Sequence, residues 1–197
     1  MIERKELAAL VEPLNADLAG MIRADMTDID QVPTPFLVHG AIYRVTHLLP
    51  TRPVVFTVGC SGSTAVLLPS APDAFLHIAQ TAGLRLDDDV TRIAYGVTFL
   101  ETTRSFGERF QILHSVDQII PRRGLDALQQ ERFESIVHDY RDVIAPPAIS
   151  GNDPWVVTLF AAHGQALERI TLELDTHGLV QSTAQVLELD LPIPYAR

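Results

Sequence analysis

Lysine is almost missing from this chain. Of its 15 basic residues only Lys5 is a lysine, and it lies in a polar N-terminal segment. Schiff-base and pyridoxal chemistry, which need an amine in a pocket, therefore have no residue to use. Cysteine is equally scarce. Cys60 stands alone, which rules out an intramolecular disulfide and a cysteine-rich zinc site and fits a cytoplasmic chain. No run approaches the roughly 18 consecutive apolar residues of a membrane helix. The opening MIERKELAAL is charged from its third residue and lacks an apolar h-region, so no secretory signal is expected. Neither GxGxxG nor a Gly-Lys pair occurs, HxH and HExxH are missing, and Asp87-Asp88-Asp89 lacks calcium-loop spacing. No metal and no cofactor are expected.

What is present is acid. The 25 acidic residues outnumber the basic ones and leave a formal net charge of -10, a field that repels phosphate backbones and anionic lipid. Neither nucleic acid nor membrane is therefore an expected partner. With 47% hydrophobic and 20% charged residues, the composition is that of a globular chain with a sizeable core. The length favours a single domain over 1–197.

Periodicity divides the chain. Residues 3–24 carry Leu7, Leu10, Val11, Leu14, Leu18, Met21 and Ile22 at helical spacing, and Pro13 kinks or splits that helix. The acidic stretch 26–35 reads as a linker, making 1–34 a helix and linker ahead of a core over 35–145. Thr34-Pro35 suits a helix start, and a stripe from Val38 to Leu49 predicts a helix there, although Val, Ile and Tyr would also suit a strand. Two apolar runs, 53–58 and 64–68, flank Gly59-Cys60-Ser61-Gly62-Ser63 and read as a hairpin. A short helix runs to Ala82 and stops at Gly83. A longer helix spans 125–144, and the Pro/Gly/Asn-rich stretch 145–154 is the one internal boundary the composition suggests. The C-terminal part, 154–191, reads as a three-stranded meander turning at His163-Gly164 and at Thr176-His177-Gly178.

Residues 90–120 are read as a long β-hairpin. Ile93, Tyr95, Val97 and Phe99 alternate with less apolar residues, as do Phe110, Ile112, His114 and Val116. A turn at Arg104-Ser105-Phe106-Gly107 sets Phe99 opposite Ile112 and Val97 opposite His114. His114, Tyr95 and Glu101 would then share the core-facing side, with Arg104 near the tip. That constellation is the candidate site: an imidazole near a carboxylate serves as a general base or anchors a polar ligand head. The expected order is ααββαββαβββ, an α+β fold with an antiparallel sheet and helices on one face.

The remaining features read as structure. Gly59-Cys60-Ser61-Gly62-Ser63 lacks the final glycine and the strand-to-helix step of a nucleophile elbow. Its Cys60 has no local cation to lower its pKa. His39 and His47 fall about two helical turns apart, too far to share an ion unaided, and His163 and His177 fall in turns. Arg122-Arg123 precedes a helix but reads as solvated.

Two functions are open at this point. The missing catalytic signatures favour a non-enzymatic protein-interaction module, chaperone- or adaptor-like. The run hairpin, helix, hairpin, helix between about Pro53 and Ile144 is loosely similar to acidic secretion-chaperone folds. That likeness implies a homodimer holding a partner segment against an apolar surface or sheet edge. The alternative is a small-molecule-binding domain or enzyme with a largely apolar pocket, in which His114 is acid/base or ligand anchor, oriented by Glu101 and assisted by Tyr95.

Overall fold

The computed structural model describes residues 2–104 and 109–194, and the chain forms two compact units, Met1–Phe106 and Gly107–Arg197. The division falls at 106/107 rather than within 145–154. The fold is α+β, with antiparallel sheets and a C-terminal meander. No helix among the described residues is long and apolar enough to cross a membrane.

The first unit opens with α1 (Arg4–Val11) and α2 (Ala16–Arg23). Pro13 separates them, and Asn15 caps α2 by accepting from the Leu18 N–H at 3.0 Å. The Arg4 guanidinium donates to the carbonyls of Ile22, Ala24 and Thr27, tying α1 to the end of α2 and the start of the sheet. That sheet is a meander in the order β1 (Thr27–Val32), β2 (Ala41–His47), β3 (Val54–Ser61), β4 (Thr64–Leu67). Two expectations fail here. The stretch read as a linker is β1, and the stretch read as a helix after Thr34-Pro35 is β2. The reason is two-sided burial. Ala41, Tyr43 and Val45 pack with Phe56, Val58 and Cys60 under α1 and α2. Ile42, in the same strand, is equally buried on the other side. A strand covered on both faces loses its alternation and can pass for a helical stripe.

The second face belongs to α3 (Pro72–Thr81) and α4 (Asp89–Thr103). A Cβ at Gly59 would come within 3.0 Å of Ile78, so glycine there lets α3 lie close to β3. Thr57 donates through Oγ1 to the Thr102 carbonyl of α4 at 3.1 Å. Phe36, Phe75 and Tyr95 form an aromatic cluster on this side, with Tyr95 edge-on to Phe36 at 5.1 Å between centroids. Helices thus cover both faces of this sheet, not one.

The largest correction concerns α4. Residues 89–103 are helical, so the hairpin read over 90–120 does not form, while the expected order ααββαββαβββ still matches broadly. The helix start is explicit: the Asp88 carboxylate accepts from the Thr91 N–H at 2.8 Å while Thr91 Oγ1 accepts from the Asp88 N–H at 3.3 Å. Tyr95, Thr98 and Thr102 form the buried stripe at helical spacing. The hydroxyls of Thr102 and Thr103 donate back to the carbonyls of Thr98 and Phe99, each at 2.7 Å. Of the expected turn Arg104-Ser105-Phe106-Gly107, all but Arg104 lies outside the described residues. With 89–103 helical, the hairpin–helix–hairpin–helix run behind the secretion-chaperone likeness is also lost.

In the second unit β7 (Trp155–His163) pairs with β8 (Ala166–Leu174), and β8 with β9 (Val180–Glu188). The far side of β7 takes two short strands, β5 (Phe110–Leu113) and β6 (Ala148–Ser150). The meander matches the expectation closely because both turns carry glycine at positive φ, Gly164 at 56° and Gly178 at 84°. Helix α5 (Ala127–Asp139), capped reciprocally by Asp126 and Gln129, lies on one face. There Ile136 packs with Leu113, Phe160, Ala162 and Leu167.

The Asp88 cap carries a pH signature. Its hydrogen bonds, first the Thr91 N–H and then the Thr91 hydroxyl, hold the carboxyl below its ordinary value of 3.8. A depressed carboxyl stabilises the fold above its unfolded pKa and loses that contribution as pH falls through the folded value. Asp88→Ala is therefore expected to lower Tm near neutral pH, with the deficit against wild type shrinking as pH drops below 3.8. Thermal melts across that range check it, and a deficit independent of pH would contradict it.

Candidate functional site

The four residues singled out from the sequence fall in different settings. Tyr95 has no solvent exposure and packs its ring against Phe36 and Phe75. Glu101 is exposed on α4 and faces Arg44 of β2 at 3.9 Å. Arg104 ends α4 as its C-cap residue. His114 lies in the second unit, directly after β5, exposed, with its backbone N–H donating to Gln118 Oε1 at 2.6 Å. The strand pairing that was to unite them does not exist. Ile112 pairs with Ala161, and Phe110 with His163. The structure joins Glu101 to Arg44, and it does not join His114 to Tyr95 or Glu101 through any sheet register.

An imidazole–carboxylate pair does occur, at His163 and Glu168. His163 Nδ1 lies 3.2 Å from Glu168 Oε1, and the Phe110 ring sits edge-on to the imidazole at 6.0 Å. His163 and Glu168 flank the β7–β8 turn, where Ala161 stands opposite Glu168 and His163 opposite Ala166. The two side chains are thus diagonal cross-strand neighbours. That contact was readable from the hairpin register, but His163 was assigned to a solvated turn. Among the other histidines, His47 is bonded through Nδ1 to Thr27 Oγ1 at 2.8 Å. His39 and His47 lie in and beside strand structure, not on one helix face.

Cys60 sits in β3, and the chain turns at Gly62 (φ 58°) into β4, so its segment is a hairpin turn with no strand-to-helix step. Burial, reinforced by the negative charge of Glu6, pushes the thiol up to about 11. A nucleophilic thiol needs the reverse shift.

The feature that sequence reasoning missed is the outer edge of the second sheet. Strand β9 is terminal in the order β5-β7-β8-β9 and runs for nine residues, VQSTAQVLE, about 30 Å at the usual rise. Residues 180–187 carry no charge and no proline, and Gln181 to Val186 are all exposed. The other sheet edges are blunted. Strand β1 carries Asp28 and Asp30, β4 and β5 have four residues each, and β6 has three. Beside this edge Arg169, Thr171, Thr183, Ala184 and Gln185 line a shallow depression of about 310 Å³. It lies on the face where Phe160, Arg169 and Gln185 stand in one cross-strand row and Thr158, Thr171 and Thr183 in the next. The signal was available as an uncharged strand at the end of a meander.

Comparison with family models, with curated proteins and with solved structures found no match to this chain.

Two measurements check these placements. Cys60 is expected to resist a thiol reagent such as Ellman's in the native protein and to react fully once urea unfolds it; rapid native labelling would refute the buried placement. Tyr95→Ala is expected to cost about 3–5 kcal/mol, as for other large aromatics removed from a core. His114→Ala, at an exposed position, should stay within about 0.5 kcal/mol of wild type. Urea denaturation of both variants separates the two cases, and comparable losses would mean that the residues share one core.

Proposed function

We propose that this chain is a non-enzymatic protein-interaction module that takes an extended segment of another protein at the free edge of β9. The observation that carries the reading is the length of that edge together with its lack of charge. A strand edge presents a row of backbone donors and acceptors that a second chain can satisfy without any particular side chain. Soluble proteins ordinarily guard such edges with charges, prolines, bulges or brevity. Over 180–187 β9 has neither charge nor proline, and its ladder irregularity comes only at the end, between Leu167 and Glu168 of the neighbouring strand.

The acidic surface agrees with a protein partner better than with a polyanion. A field of -10 discourages nucleic acid and anionic membrane, whereas strand addition depends on main-chain hydrogen bonds that a neutral segment can supply. The exposed apolar side chains along and beyond the strand, Leu179, Val186 and Leu189, add contact area at both ends of such a complex.

Placing lysines on the edge provides the test. The double substitution Ser182→Lys, Ala184→Lys introduces the guard that natural edges use, at two exposed positions. Cross-linking in the source cells, followed by mass spectrometry, should recover a partner with the wild-type chain, its cross-links clustering at 179–189. The lysine variant should lose that partner while keeping its Tm within a few degrees. Retention of the same cross-links by the variant would sink the proposal.

A further inference from the structure

We infer that the segment accepted by β9 carries an acidic side chain, and that Arg169 is its anchor. This inference rests on the strand-addition reading and specifies the partner. Arg169 is the one lysine or arginine between residues 155 and 188, and it is exposed. Among the described residues its side chain makes no hydrogen bond and no ion pair. Two other arginines of this unit are committed to main chain: Arg109 donates to the Pro194 carbonyl and Arg132 to the Leu189 carbonyl. Arg169 is therefore a cation on the sheet face with its five donors available.

Position makes that cation useful. Arg169 stands directly opposite Gln185 in the β8–β9 ladder, one strand in from the open edge. A strand added to β9 would lie about 5 Å beyond Gln185 and about 10 Å from β8. A long arginine passing over Gln185 and a glutamate reaching back from the new strand span that gap between them. Around the path lie the hydroxyls of Thr171 and Thr183 and the amide of Gln185, all lining the same depression as Arg169. Each can donate to a carboxylate, whose two oxygens accept from a guanidinium in parallel.

The net charge does not forbid an acidic partner. At physiological ionic strength the screening length is about 8 Å, so the charges nearest the anchor dominate. Residues 176–187 contribute no acidic group at all. A second copy of this chain fits the site poorly. The only acid of its β9 is Glu188, which already accepts from the Tyr140 hydroxyl at 3.1 Å. A partner of different sequence, extended and otherwise uncharged around one Glu or Asp, matches the geometry.

The test uses the full chain and three synthetic nine-residue peptides, acetylated and amidated, of alternating Thr and Ser with Glu, Gln or Lys at the centre. Binding is read by two-dimensional NMR titration of the labelled protein. The expected result is shifts confined to β8 and β9, with the Glu peptide about fivefold tighter than the Gln peptide, the scale of one exposed ion pair. The Lys peptide should be weakest. Arg169→Gln should erase the Glu-over-Gln preference without weakening the Gln peptide, and Arg169→Glu should reverse the order in favour of Lys. A Glu peptide N-methylated at alternate residues, unable to pair as a strand, should not bind. Equal affinity for Glu and Gln peptides at β9 would overturn the acidic anchor and leave strand addition standing. No shift with any peptide would overturn both. Shifts at β9 on raising protein concentration alone would identify a second copy as the occupant, and would equally overturn the inference.

Discussion

Helices pack against both faces of the sheet of residues 27–67, and the first unit is arranged around that one condition. Helices α1 and α2 cover the face of Tyr43, Val45, Phe56 and Val58, and α3 and α4 cover the face of Ile42, Thr57 and Gly59. Burial on both sides leaves polar groups nowhere to go except to one another. Thr57 accordingly donates to a carbonyl of α4, Thr27 to a carbonyl of α2, and Arg4 to three carbonyls at the junction of α2 with β1. Each of these bonds replaces a water contact that the packing removed. The same condition explains Gly40, whose φ of 86° and close approach to the Cys60 carbonyl leave no room for a side chain where the chain enters β2.

The condition also decides what could be read from the sequence. The C-terminal meander was legible because its strands are bounded by glycine turns and its last strand is open to solvent. Helix α3 was legible from its proline start and from Gly83, and the pair α1 and α2 from a clean apolar stripe broken by Pro13. Residues 41–47 misled for a physical reason: Ile42 is buried on the face opposite Ala41, Tyr43 and Val45, which breaks the strand alternation, and the apolar residues fall on a helical stripe by chance. Residues 89–103 misled in the opposite direction. Ile93, Tyr95, Val97 and Phe99 alternate and favour strands, yet a weak β preference yields to a reciprocal cap at Asp88 and to the burial of Tyr95 against Phe36 and Phe75.

The hairpin register that was to set His114 beside Tyr95 and Glu101 does not form, because residues 89–103 are helical. What took its place depends on a contrast between the two sheets. The first is enclosed by helices and offers the solvent little beyond an acidic edge. The second carries α5 over part of one face and ends in a strand whose backbone faces outward. That second sheet therefore exposes a length of uncharged main chain with Arg169 beside it.

An unguarded edge on a strongly acidic chain has a consequence for its colloidal behaviour. Copies of this protein repel one another through their shared negative charge, while the edge itself carries no charge that opposes pairing. Repulsion of that kind vanishes at the isoelectric point, near pH 5.0, and is screened at high salt. In a mildly acidic compartment, or on concentration in strong salt, β9 becomes the place where sheets of neighbouring molecules can continue into one another. The -10 charge and the uncharged edge therefore act in opposite directions on self-association.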